Sequence, residues 1–294
     1  MNNELSIHSL SKKYRAGSSF ANQNINATFY SGEIVAITGH NGAGKTTFLN
    51  QIIGVTKPSS GSITFQGYSL GKDWRKARQF SAMMPQFHAP LNGVTMRQSI
   101  ESILRIRGLN KRDIQYHTTE VMKELKIAKW ANVPGQKLSG GLQRLTSFAM
   151  SIAAPPPILL LDEPTNDVDP IRRKIIWHSL KKLAKKGHIV IVVTHNLLEV
   201  DQYADRYLLF DKGSVIKDAY IHDTLKEKLV ETQLVVFSDK VLNPNELPLN
   251  IGHTFQEDEL RYDIQLSTDQ IIDAIIWINT KLSSKEISNY RLSP

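Results

Sequence analysis

Nine consecutive residues, Gly39-His40-Asn41-Gly42-Ala43-Gly44-Lys45-Thr46-Thr47, have the types and spacing to hold a chain of phosphates. Glycines let the backbone turn tightly and aim successive N–H groups inward at an anion. The apolar run Ile34-Val35-Ala36-Ile37 before them reads as a strand, and the run from Phe48 to Ile53 after them as a helix. That helix adds the positive end of its dipole. In this setting Lys45 reaches the β- and γ-phosphates, and the Thr46 hydroxyl ligates Mg²⁺.

A second segment, Leu159-Leu160-Leu161-Asp162-Glu163-Pro164, is a buried-type strand that ends in two acids. Downstream of a phosphate-binding turn, Asp162 is suited to hold Mg²⁺ and Glu163 to polarise an attacking water as general base. Standing alone, the same residues would read as a strand capped by acids at the surface. A third segment, Leu138-Ser139-Gly140-Gly141-Leu142-Gln143-Arg144, is by itself equally a loop or a helix N-cap. It is also a second anion site, with a hydroxyl, small residues and a helix N-terminus. One nucleotide does not need two γ-phosphate sites in one chain unless the second serves another subunit. The pattern therefore points to a dimer with ATP between two copies.

The elements that must position these groups follow from periodicity. Leu5-Ser6-Ile7-His8 opens a strand, and Ile25-Asn26-Ala27-Thr28-Phe29 alternates as a half-buried strand does. Ser31-Gly32 turns into the strand that feeds Gly39. Pro58-Ser59-Ser60-Gly61 is a turn, Ser62-Ile63-Thr64-Phe65 a strand, and 80–84 a buried run ending at Pro85. From 95 to 129 the pattern is helical, broken at Gly108-Leu109-Asn110, so a helical insert divides two stretches of α/β pattern. A helix starts at 138–141, runs through Ile152 and stops at Pro155-Pro156-Pro157. A strand at 158–161, a basic amphipathic helix over 171–186 and a strand at 189–193 come next. A short helix from Leu197 and a hairpin turning at Asp211-Lys212-Gly213 complete this part. Beyond it the pattern predicts a helix over 224–231, a strand at 234–237, a loop at Asn243-Pro244-Asn245, a strand at 260–266 and a helix over 268–277. These form a small α+β unit.

The 294 residues favour one large domain plus a smaller one. Charge marks the division. Residues 220–294 hold 7 Lys/Arg against 12 Asp/Glu, whereas 1–219 hold 29 against 16. A basic body can bind nucleic acid or an anionic membrane surface, or simply be a solvated face. The absence of Cys excludes a disulfide scaffold, a thiolate metal site and a Cys nucleophile, and fits a reducing compartment. The polar N-terminus carries no signal peptide. The most apolar runs, 158–161 and 189–193, are far below the about 20 residues a bilayer span needs. Any membrane role is thus expected to go through a partner.

Together these segments resemble the ABC transporter ATPase family, in order and spacing, over residues 5–217. Residues 39–47 match Walker A, 138–144 the signature and 159–163 Walker B. Asn166-Asp167-Val168-Asp169 matches the D-loop, Pro85-Gln86 the Q-loop, and Thr194-His195 the switch histidine. The resemblance implies an α/β fold: a P-loop NTPase core with an antiparallel β subdomain and an α-helical subdomain (about 87–150). The ATP-binding domain would then be 1–219, with a small accessory C-terminal α+β domain at 220–294. It also implies roles. Tyr14 stacks on adenine, and Gly39, His40, Asn41, Gly42, Ala43, Gly44, Lys45, Thr46 and Thr47 hold the phosphates. Thr46, Asp162 and Gln86 serve Mg²⁺, and Gln86 also touches the attacking water. Glu163 is the base and His195 contacts the γ-phosphate. Ser139, Gly140, Gly141 and Asp169 reach across to a second subunit. His88 and His178 match no such position and read as structural or surface residues.

Two residues depart from the family pattern. Leu142 stands where many members have Gln, and Asp167 replaces a common Gly. Glu163 is intact, which implies a hydrolysing subunit. The implied protein uses ATP and Mg²⁺ and works as a homo- or heterodimer with a polytopic membrane permease subunit. It sits peripherally at the cytoplasmic face of the cell membrane, and nucleic acid is not an expected partner. The extra C-terminal residues resemble the tail of the exporter branch, which serves peptide, antibiotic, lipid or polysaccharide efflux. An importer ATPase is the nearer alternative. A soluble ABC ATPase acting on nucleic acid or ribosomes is a different class. Its DNA-repair type needs a long heptad coiled coil between Walker A and the signature, and its ribosome-acting type needs two cassettes in one chain. This sequence has neither.

Overall fold

In chain order the elements are β1 (Glu4–Lys12), β2 (Asn22–Tyr30), β3 (Ile34–Thr38), α1 (Lys45–Ile52), β4 (Ser60–Phe65), β5 (Tyr68–Ser69), α2 (Trp74–Phe80) and β6 (Ser81–Met84). They continue with α3 (Met96–Ile106), α4 (Lys111–Glu124), α5 (Gly140–Ile152), β7 (Ile158–Asp162), α6 (Pro170–Lys185), β8 (Ile189–Val193), α7 (Leu197–Tyr203), β9 (Arg206–Asp211) and β10 (Ser214–Tyr220). The computed structural model describes residues 3–15, 19–86, 93–222, 230–238, 253–256, 260–267, 271–284 and 286–293. His88 and the loop read at 243–245 lie outside them. The chain divides into two units, Met1–Ile221 and His222–Pro294.

The first unit is mixed α/β. Its six-stranded sheet has the order β10-β9-β3-β8-β7-β6, parallel except for the β9–β10 hairpin. A second, antiparallel sheet runs β2-β1-β4-β5. The central strands are uninterrupted apolar runs because both of their faces are covered. Val35, Ile37, Leu160 and Ile191 pack with α1 and the antiparallel sheet. Ala36, Leu161 and Val192 pack with α3, α5 and α6 on the opposite side. The helical insert is held by its caps. Thr95 and Gln98 form a capping box at α3, and Asn110 accepts from Asp113 N at α4.

Two elements of this unit, the two-residue β5 and the helix α2, have no counterpart in the sequence reading. Residues 74–80 form α2, capped by Asp73, which accepts from Arg75 N and Lys76 N. Its apolar period is weak, since Ala77 is its one buried residue.

In the second unit, β11 (Val230–Ser238), β12 (His253–Gln256), β13 (Arg261–Ser267) and β14 (Ile287–Ser293) form a sheet in the order β12-β13-β11-β14. With α8 (Ile271–Ser283) it encloses Leu234, Val236, Tyr262, Ile264, Ala274 and Ile278. The helix expected over 224–231 is corrected at its end, because Val230 and Glu231 belong to β11. Residues 224–229 lie outside the described residues. At Val230, antiparallel pairing with Ser267 of β13 overrides the helical spacing.

Candidate active site

Three parallel strands end level with one another. Ile37 lies opposite Val193, and Val193 opposite Asp162. The chain leaving β3 therefore delivers 39–47, the chain leaving β7 delivers Glu163, and the chain leaving β8 delivers His195. All three reach the carboxyl edge of the sheet, where open α/β sheets bind ligands.

Backbone geometry shapes the phosphate-binding turn. Gly44 has φ 98°, and a Cβ there would lie 2.2 Å from Ala21 O and 2.6 Å from Asn22 Nδ2. Asn22 Nδ2 donates to Gly44 O at 3.1 Å, and Gln51 Nε2 of α1 donates to Asn22 Oδ1 at 2.8 Å. These bonds fix the start of β2 against the turn. Lys45 Nζ donates to Gly39 O at 2.7 Å and His40 O at 2.9 Å. Burial pulls its pKa below the usual value, against the attraction of Glu163 and Asp162. His40 Nε2 lies 2.9 Å from Asp211 Oδ1 in the hairpin turn. Asn41, Gly42 and Thr46 are exposed and Ala43 is buried. Thr47 O is 3.4 Å from Gln51 Nε2, which donates to it.

Thr46 Oγ1 donates to Asp162 Oδ2 at 2.7 Å. Burial holds the Asp162 carboxyl above its ordinary pKa, and the Thr46 hydrogen bond opposes this. Two hard oxygens, one of them a carboxylate, match what Mg²⁺ takes from protein when phosphates and water complete its shell. Among the described residues no group of three or more His, Cys, Asp or Glu could hold a metal ion unaided.

Glu163 is buried and left-handed, with φ 52°. Its Oε1 lies 2.9 Å from His195 Nδ1. Its Oε2 is buried without a hydrogen-bond partner. A buried, unsatisfied carboxylate oxygen is a natural acceptor for water. The His195 side chain is itself 68% exposed, so it can face a ligand as well as Glu163.

The remaining site residues lie farther out. Ser139 sits at the N-cap of α5 without a side-chain cap bond, and Ser139 and Gly140 are exposed. At Gly141 a Cβ would stand 2.8 Å from Asp167 O, so the signature turn rests on the D-loop of its own chain. Asp169 caps α6, accepting from Arg172 N at 3.1 Å and Arg172 Nη1 at 2.9 Å. The backbone bond from Arg172 is the main cause of its lowered pKa. Tyr14 is 60% exposed, with Lys12 Nζ 5.1 Å from its ring centroid. Gln86 is exposed, and His178 also lies at the surface. No hydrogen bond among the described residues joins Tyr14, Ser139 or Asp169 to 39–47.

Two groups that shape the site have no assigned role in the sequence reading. Thr165 Oγ1 donates to Glu199 Oε2 at 2.8 Å, and Arg173 Nε donates to Val168 O at 2.7 Å, which together brace the D-loop. Nothing local announces a pair 34 residues apart. Arg144 is the other. Its signal is a cation one turn before Phe148, on the buried stripe of α5.

Known proteins are similar to this chain. The family described as ABC transporter matches residues 22–166. The chain is 29% identical to the Nod factor export ATP-binding protein I of Sinorhizobium fredii, over 87% of this chain and 73% of that protein. It is 33% identical to human ATP-binding cassette sub-family A member 9, over 63% of this chain, and spans 12% of that relative's length. Among solved structures, a dimeric ATP-binding cassette in a post-hydrolysis state with ADP and Pi superposes with a TM-score of 0.68 at 26% identity. The match covers 74% of this chain and 98% of that one.

Proposed function

The chain belongs to the ABC transporter ATP-binding proteins, and from that premise we propose that it is the nucleotide-binding subunit that drives export through a separate membrane subunit. The observation that carries the reading is the Glu163–His195 contact set beside the Thr46–Asp162 pair.

ATP binds along 39–47, and Lys45 exchanges its loop carbonyls for the β- and γ-phosphates. Thr46 and Asp162, with Gln86, would hold Mg²⁺, which when bound would supply positive charge to the phosphate oxygens. Glu163 Oε2 accepts a proton from water as that water attacks the γ-phosphorus in line with the departing ADP oxygen. His195 holds Oε1 and so fixes the direction of the carboxylate. Ser139, Gly140 and Gly141 of a second subunit close over the γ-phosphate, and Asp169 meets that subunit. The exposed signature turn and the similarity to a dimeric cassette support this arrangement. Tyr14 stacks on the adenine.

A groove of about 1020 Å³ opens beside Pro85, between α2, β6 and the helical insert. It is lined by Val55, Met83, Ile103 and Met150 together with Arg75 and Arg107. Apolar walls with cations fit an amphipathic, acidic segment of the membrane subunit. No helix among the described residues is long and apolar enough to cross a membrane. In this reading the protein sits peripherally at the cytoplasmic face of the cell membrane, held there by its membrane subunit. Export is supported by the Nod factor export relative, whose similarity extends over 87% of this chain. The membrane subunit selects the cargo, a peptide, antibiotic, lipid or polysaccharide.

The test is reconstitution with the membrane subunit that copurifies with it, in inside-out vesicles with ATP added outside. ATP-dependent cargo accumulation in the lumen is the expected result. Cargo leaving preloaded vesicles would make the protein an importer ATPase instead.

A further inference from the structure

Arg144 is 2% exposed and carries its guanidinium into the space between three elements. Nη1 donates to Pro85 O at 3.1 Å and to Gln86 O at 2.5 Å. Nη2 donates to Asp162 O at 2.5 Å and to Glu163 O. All four acceptors are backbone carbonyls, so this is a buried cation held by dipoles rather than by a paired carboxylate. Burial pulls its pKa down, and Asp162, Glu163 and Asp167 act at longer range to restore it. Desolvating a cation is expensive, and an apolar side chain of similar volume is often the more stable choice in such places.

The acceptors indicate what the cation is for. Glu163 is left-handed, a conformation that strains a non-glycine residue. Its N–H is tied to Val193 O at 2.9 Å, and its carbonyl is taken by Arg144. With both ends of the residue pinned, its side chain is aimed at His195. The same guanidinium holds the backbone on either side of the Pro85–Gln86 bond. Its own backbone belongs to α5, which begins at the signature turn.

We infer that Arg144 is a positioning residue for hydrolysis, holding Glu163 in its left-handed conformation and locking that conformation to the placement of Gln86 and the signature helix. It makes no contact with the ligand in this role. When α5 shifts against the parallel sheet, the carbonyls of Gln86 and Glu163 shift with it. The base is therefore aimed only when the signature helix is seated. The inference rests on Glu163 acting as the base.

The test compares wild type, Arg144→Lys, Arg144→Gln, Glu163→Gln and the double variant Arg144→Lys/Glu163→Gln. Each is assayed for ATP binding, KM, steady-state phosphate release and single-turnover rate. Lysine keeps the charge but, as a point donor, cannot serve both carbonyl pairs of the fork. Arg144→Lys is expected to keep KM within about twofold and to lower kcat by about 10- to 100-fold, the scale of a small misplacement at a reacting group. In the Glu163→Gln background the same change should alter the residual single-turnover rate by less than about twofold, because the group it positions is already gone.

Wild-type kcat in Arg144→Lys overturns the inference. So does an equal loss in both backgrounds, or an effect confined to KM. If Arg144→Lys fails to fold, Arg144→Gln is read in the same way. Loss of ATP binding in both variants also overturns the assignment, since a positioning residue leaves the phosphate turn intact. Wild-type turnover in Glu163→Gln would instead remove the base reading, whatever Arg144 does.

Discussion

Asp162 is a carboxylate kept where burial disfavours its charge. Its folded-state pKa is raised, so the native state binds its proton more readily than the unfolded chain does. Stability from this group is fullest below the ordinary carboxylate value of 3.8 and falls as pH rises through the raised pKa. Asp162→Asn can still accept from Thr46. The nucleotide-free variant is expected to melt above wild type at pH 7, with the gap shrinking as the pH is lowered toward that value. Melting curves across pH check this, and an equal or lower melting temperature at pH 7 would refute it. Gly44→Ala acts in the opposite sense. Left-handed strain of about 1–3 kcal/mol adds to a clash with the Ala21 carbonyl. Denaturant titration should show that loss, with weaker ATP binding. At this scale the sequence is readable where chemistry is contiguous: 39–47 and 159–163 declare themselves by type and order. Arg144 does not, because its acceptors lie 18, 19, 58 and 59 residues away.

Among the elements, α1 links the core to the phosphate turn. Phe48 packs its ring 5.4 Å from Phe210 and 6.2 Å from Phe29, centroid to centroid, and is fully buried. Phe48→Ala is expected to destabilise the first unit by about 3–5 kcal/mol, measured by urea unfolding. A loss under about 1 kcal/mol would mean that the cavity collapses easily. Strong periods made most elements legible, as in the apolar runs of β3, β7 and β8 or the capped helices of the insert. The end of the predicted 224–231 helix failed because Val230 pairs with Ser267 of β13 and Glu231 continues the same strand. The spacing over 74–80 showed no helix because little of α2 is buried.

At the scale of the molecule, the charge break near residue 220 lies beside the division between Ile221 and His222. In the proposed function the exposed turn at Ser139 and Gly140 closes over the nucleotide of a second copy or a related subunit. With ATP and Mg²⁺, Glu163→Gln is expected to double its mass in light scattering, and to return to the monomer mass when ATP is removed. A mass unchanged by ATP would favour a heteromeric pair. The order of the motifs is what suggests this assembly, whereas the groove beside Pro85 is not legible in the sequence, because its walls come from four separate stretches of chain. The most direct measurement is phosphate release by Glu163→Gln, with ATP affinity determined on the same sample. Wild-type affinity with turnover lowered by about 10²- to 10⁴-fold, the span of general base catalysis, is the expected result. Wild-type turnover at wild-type affinity would contradict it.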